Sequence, residues 1–167
     1  MINMLQIGQA APDFCLPDAD MEMVSLSSFR GKKNLVLYFY PKDDIPGCTT
    51  QALELSDLED EFGRFDTLVF GISRDDCLTH GSFRDKHGIA VRLLSDCESE
   101  ACKKYDVLQK KEISGETRPY VVCSTFIIDK HGILRHALYG ASSRHRAAEI
   151  LGLVKEVSGF LYKQAAI

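Results

Sequence analysis

Six of the 167 residues are cysteines: Cys15, Cys48, Cys77, Cys97, Cys102 and Cys123. A cysteine does chemistry as its thiolate, the form favoured by the unpaired N–H groups and partial positive charge of a helix N-terminus. Cys48 is placed for that. It ends the loop Pro41-Lys-Asp-Asp-Ile-Pro-Gly47 and opens a run of helical period, so it falls in a helix's first turn. Pro41 and Pro46 stiffen the loop and remove two backbone donors, leaving the other N–H groups to face a ligand. Thr49 and Thr50 put hydroxyls next to the sulfur. A free cysteine is most often a small buried hydrophobe. At Cys48 the loop chemistry favours a nucleophile instead.

The same inspection leaves little chemistry elsewhere. Cys15 alternates with Phe14 and Leu16 and turns away from them, Cys97 follows Asp96 in a turn, and Cys102 falls on the inner face of a short helix. These three read as structural or incidental. His80, His87, His131, His136 and His145 sit near helix or turn ends, outside the 41–48 loop, so a Cys–His nucleophile pair is not indicated. Cys97/Cys102 and His131/His136 can be drawn as a Cys2His2 set. The stretch between the pairs exceeds finger spacing, and no Cys-x-x-Cys occurs, so no metal is expected.

The elements that must position Cys48 follow from the hydrophobic pattern. Leu35–Tyr40 is continuously apolar, as suits a central strand buried on both faces. Ala52, Leu55, Leu58 and Phe62 predict one amphipathic helix from about Cys48 to Phe62. Thr67–Ile72 is a second buried strand, 77–87 a helix ended by Gly88, Val91–Leu94 a short strand and Ser99–Tyr105 a short helix. Thr125–Ile128, the turn Asp129-Lys-His-Gly132 and Ile133–Tyr139 form a hairpin, with Cys123 on the same sheet. Ala147, Ile150, Leu151, Val154 and Leu161 mark a final helix, and two short strands flank an Asp-rich turn near the N-terminus. This order gives an α/β fold with a mixed central sheet flanked by helices and an N-terminal β extension, an arrangement that resembles the thioredoxin-like fold. Ligands in such sheets sit at the carboxyl ends of the strands, where the loops 41–48 and 73–77 each carry a cysteine.

Composition bounds the function. The length fits one domain, residues 1–167, with 45% apolar and 26% charged residues. Leu35–Tyr40 is the longest apolar run, far short of the roughly 20 residues of a membrane span. A net charge of −4 makes nucleic acid a poor partner. Residues 1–8 carry no basic region and no long apolar stretch, and the first Arg is Arg30, so neither a secretory signal nor a transit peptide is expected. The cysteines therefore read as thiols of a reducing, cytoplasmic compartment.

The segment Tyr38-Phe-Tyr-Pro-Lys-Asp-Asp-Ile-Pro-Gly-Cys-Thr-Thr50 resembles the active-site segment of peroxiredoxins, nearest the bacterioferritin-comigratory-protein or Q-type branch. Ala11-Pro-Asp-Phe14, Phe70-Gly-Ile-Ser-Arg-Asp75, Leu93-Leu-Ser-Asp96 and Ser124-Thr-Phe-Ile-Ile-Asp129 extend the likeness over nearly the whole chain. The resemblance implies a thiol peroxidase, with Cys48 the peroxidatic cysteine and Pro41, Ile45, Pro46, Gly47, Thr49 and Cys123 around the hydroperoxide. A second thiol would resolve the sulfenic acid, and thioredoxin or a similar dithiol would reduce the product, with no metal, flavin or haem. It also implies a monomer.

Three positions depart from that family. Its motif Thr is Ile45, its later Arg is Cys123, and its usual resolving cysteines fall at Leu53 and near Arg84. Arg118, Arg144 and Arg146 are candidates to replace the Arg. Cys77 leads as resolving cysteine because it opens the helix after the second buried strand. An external thiol comes next, then Cys123, expected on a strand and less free to move. The departures also motivate a rival function, a weakened peroxiredoxin-like thiol sensor or binding module.

Overall fold

A computed structural model describes residues 5–140 and 147–165, with side chains through residue 159. In chain order the elements are β1 (Cys15–Pro17), β2 (Met23–Ser25), β3 (Asn34–Phe39), α1 (Pro46–Asp57), α2 (Glu59–Arg64), β4 (Thr67–Ser73), α3 (Cys77–His87) and β5 (Arg92–Ser95). They continue with α4 (Glu100–Lys104), β6 (Leu108–Ile113), β7 (Glu116–Val121), β8 (Ser124–Ile128), β9 (Leu134–Tyr139) and α5 (Ala147–Ala165).

The main sheet runs β5-β4-β3-β8-β9. β3, β4 and β5 are parallel, and β8 and β9 complete the sheet antiparallel. This is the mixed thioredoxin-like sheet, with the paired strands β1 and β2 as its N-terminal extension. β3 lies at the centre because every one of its residues is buried. Leu35, Leu37 and Phe39 pack with Phe14, Leu26, Tyr105 and Phe126 on one face. Val36, Tyr38 and Tyr40 pack with Ala52, Leu55, Ile150 and Val154 on the other. Alternate residues thus feed two cores, which is why this strand shows no polar alternation. Gly71 on β4 makes room for the second core, since a Cβ there would meet the Tyr38 ring at 2.6 Å.

Two expectations are corrected and one element is added. The helix predicted from Cys48 to Phe62 is two helices that meet at Leu58, whose backbone leaves the helical region at φ −101° and ψ 8°. The break gives Glu59, Asp60 and Glu61 a fresh helix N-terminus, where carboxylates are favoured, instead of the carboxyl-terminal half of a long helix, where they are not. The β6–β7 hairpin was not foreseen. Its turn, Ser114-Gly115, has φ of 53° and 81°, the two left-handed residues of a tight hairpin turn, but its strands are largely solvent-facing and carry no apolar alternation. Cys123 lies one residue before β8, in the connection from β7, and not on a strand.

The carboxyl ends of β3 and β4 open onto one edge of the sheet. The loop 41–45 leaves from there into α1, and residues 74–76 lead into α3. α3 starts cleanly because the Asp76 carboxylate accepts the Thr79 N–H at 2.8 Å, and Gly88 ends it at φ 66°.

Candidate active site

Cys48 is the third residue of α1, after Pro46 and Gly47. Its side chain is 8% exposed and belongs to the core on the α1 face of the sheet. The residue that caps the helix is Ile45, whose side chain offers no acceptor, and Pro46 has no N–H. The N–H groups of Gly47 and Cys48 therefore have no side-chain cap, which leaves the positive end of α1 uncapped in the turn that carries Cys48.

Two groups act on the Cys48 thiol at close range. It shares a hydrogen bond with Cys123, and the Lys42 N–H donates to its sulfur. The Cys123 contact, burial and the charges of Cys123 and Asp43 push the thiol up, and the Lys42 N–H pulls it down. The upward influences prevail. A second sulfur in this position opposes ionisation of Cys48, where a cation would favour it.

The loop is held from behind by a buried polar network. Tyr40 Oη donates to Asp43 Oδ1 at 2.5 Å. His80 Nδ1 meets Asp43 Oδ2 at 2.6 Å, and His80 Nε2 meets the Leu94 carbonyl at 3.0 Å. A carbonyl only accepts, so Nε2 carries a hydrogen and a single proton lies between Nδ1 and Asp43. The Asp43 N–H donates to Asp75 Oδ2 at 2.8 Å, and Ser73 Oγ donates to the same oxygen at 2.6 Å. Asp43, Asp75 and His80 bring one nitrogen and two carboxylates within 4.8 Å of one another. Both Asp43 oxygens, both His80 nitrogens and Asp75 Oδ2 take part in these hydrogen bonds. On the surface, Asp44 at φ 65° pairs with Lys86 at 2.7 Å and His87 at 2.8 Å, fastening the loop to α3 a second time.

The expected site residues separate into two groups. Pro41, Ile45, Pro46, Gly47, Thr49 and Cys48 form the loop and first turn, and Cys123 joins them across the sheet edge. Ile45 is 40% exposed, an apolar lip beside the helix start. The hydroxyls expected beside the sulfur turn back instead: Thr49 Oγ1 donates to the Ile45 carbonyl and Thr50 Oγ1 to the Pro46 carbonyl, both at 3.0 Å. Cys77 opens α3, half-buried, beside Cys97, whose thiol is pushed up by burial and by the charges of Asp76 and Cys77. Arg118 is exposed on the β6–β7 hairpin and pairs with Glu116 at 3.0 Å. Arg144 and Arg146 lie outside the described residues. Cys15 is exposed and Cys102 fully buried, its thiol pushed up by burial and by Asp96.

Asp43, Asp75 and His80 were not among the expected site residues. The sequence places His80 near a helix end and assigns Asp43 and Asp75 no role. The available signal was His80 three residues before Phe83 on α3, which gives them a common inward face.

The chain is similar to known proteins over most of its length. The AhpC/TSA family profile matches residues 7–137. Peroxiredoxin Bcp of Bacillus subtilis is 38% identical over 154 residues, 92% of this chain and 98% of that protein. Peroxiredoxin Bcp of Escherichia coli K12 is 36% identical, covering 93% and 99%. The solved structure of the Xanthomonas campestris bacterioferritin comigratory protein, described for its alkyl peroxide reduction activity, superposes with a TM-score of 0.84 at 30% identity, over 92% of this chain and 98% of that one.

Proposed function

The chain belongs to the AhpC/TSA family, in its peroxiredoxin Bcp branch, and on that footing we propose that Cys48 is the peroxidatic residue of a thiol peroxidase formed by one domain. The observation that carries the assignment is the position of Cys48 as third residue of α1, its sulfur against the Lys42 N–H and the uncapped helix start beside it. The Cys48 thiolate attacks one oxygen of H2O2 or an organic hydroperoxide. The O–O bond breaks, water or alcohol leaves with a proton, and the sulfur keeps the oxygen as sulfenic acid. A second thiol condenses with it and releases water, and thioredoxin or a similar dithiol reduces the resulting disulfide. Cys77, Cys123 and an external thiol are the candidates for that second thiol. The chain supplies the peroxidatic thiol and the dithiol supplies the two electrons of each turnover, without metal, flavin or haem.

The protein acts in the cytoplasm as a monomer in this reading. Among the described residues no helix is long and apolar enough to cross a membrane. The large exposed apolar side chains are Ile7, Met21, Met23, Ile45, Leu78, Ile113 and Tyr120. A second reading, a weakened peroxiredoxin-like redox sensor, draws on the raised Cys48 thiol and on Ile45 in place of a hydroxyl.

NADPH oxidation coupled through thioredoxin reductase and thioredoxin tests the leading reading. Sustained, peroxide-dependent turnover is expected. Oxidation of Cys48 by one equivalent of H2O2 without turnover on any dithiol supports the sensor.

A further inference from the structure

Resting on the reading of Cys48 as peroxidatic, we propose that Cys123 is the resolving cysteine, so that catalysis passes through a Cys48–Cys123 disulfide. Cys123 is the residue whose side chain hydrogen-bonds the Cys48 thiol, and it packs half-buried against the core cluster that contains Cys48. The sulfurs are already neighbours across the sheet edge. Cys77, by contrast, sits on α3 beside Cys97.

The backbone allows the closure. Val122 and Cys123 form a two-residue connection between β7 and β8. The β3–β8 ladder starts at the Phe39–Ser124 pair, so Cys123 precedes it and carries no ladder register. Val122 is held by its N–H to the Val107 carbonyl at 2.8 Å and by its carbonyl, which accepts Ser124 Oγ at 2.9 Å. Cys123 is therefore flanked by fixed residues without belonging to a strand. A disulfide needs an S–S distance of about 2.05 Å and Cα atoms about 4.4–6.8 Å apart. Hydrogen-bonded thiols start close to one another, so side-chain rotation and a shift of the connection bring the sulfurs together. α1 need not unwind, as it would to carry Cys48 to a distant partner.

The step balances. The Cys123 sulfur attacks the Cys48 sulfenic sulfur, the S–O bond breaks, and the hydroxyl leaves as water with the Cys123 proton. A dithiol then returns two electrons and two protons, giving back both thiols and becoming a disulfide itself. The same contact that opposes ionisation of Cys48 before peroxide arrives thus supplies the resolving group afterwards.

The test uses the full chain, reduced, given one equivalent of H2O2 and then blocked with an alkylating reagent. Intact mass and non-reducing peptide mapping give the result. Wild type is expected to lose two thiols and two hydrogens and to yield a peptide pair joined through residues 48 and 123. Cys123→Ser is expected to lose one thiol, to accumulate a dimedone-reactive sulfenic acid at Cys48 and to lose thioredoxin-supported turnover. A 48–77 linked pair in wild type overturns the proposal, as does wild type that stops at a Cys48 sulfenic acid with Cys123 alkylated. Should Cys48 itself remain alkylated after peroxide, the peroxidatic reading fails and takes the proposal with it. The wild-type map decides even if Cys123→Ser does not fold.

Discussion

His80 Nδ1 lies 2.6 Å from Asp43 Oδ2 with both side chains buried, and this contact ties helix α3 to the loop that delivers Cys48. Leu94 on β5 fixes the other side of the imidazole, and Tyr40 at the end of β3 fixes the other carboxylate oxygen. The loop is thus referenced to three elements of the fold five residues before the sulfur.

His80→Ala leaves the Asp43 carboxylate buried without its partner. Breaking a buried pair in this way costs about 3–5 kcal/mol. The urea midpoint is expected to fall accordingly, and kcat/KM for peroxide to fall with it because the loop loses its fixed geometry. His80→Ala in an Asp43→Asn background should cost much less, since no unpaired carboxylate remains.

Ile45→Thr adds a side-chain acceptor at the N-cap of α1. Such caps contribute about 0.5–2 kcal/mol, so thermal stability should rise. A hydroxyl at this position also restores the family's motif Thr, which the peroxidase reading expects to bond the peroxide or the sulfur. A hydrogen bond to a charged group is worth ~1.5–3 kcal/mol, which in the transition state alone is roughly 10- to 150-fold in rate. Stopped-flow peroxide kinetics beside a melting curve separate the two effects.

Cys123→Arg removes the group that does most to push the Cys48 thiol up and puts a cation in its place. Cys48 then ionises at lower pH. At any pH below its present transition the thiolate fraction rises, so the pH profile of the first oxidation should move to lower pH. Thiolate absorbance, titrated with the other cysteines replaced, reports the same shift. Combined with Ile45→Thr, the gain in oxidation rate should be non-additive, because both groups would grip the same oxygen. Turnover is a separate matter, since this variant lacks the proposed resolving thiol.

The features legible in the sequence are those that local pattern dictates. Leu35–Tyr40 identifies the central strand because burial on both faces removes alternation, and the prolines around residues 41–47 mark the loop that ends at Cys48. The Cys48–Cys123 contact joins the start of α1 to the β7–β8 connection, brought together where β3 pairs with β8, and no spacing along the chain encodes that pairing. Asp43 and His80 are 37 residues apart and meet only because α3 crosses back over the sheet. The β6–β7 hairpin escaped for a different reason: its strands are stabilised by their turn and ladder, with little apolar patterning to reveal them.

Peroxide consumption by Cys48→Ser tests the central claim most directly. The substitution exchanges sulfur for oxygen at a buried position and leaves the loop network untouched. With thioredoxin and its reductase supplied, stopped-flow traces should show no H2O2 loss above the protein-free control, while circular dichroism and the melting temperature stay near those of wild type. A folded Cys48→Ser protein that consumes peroxide at the wild-type rate would contradict the account.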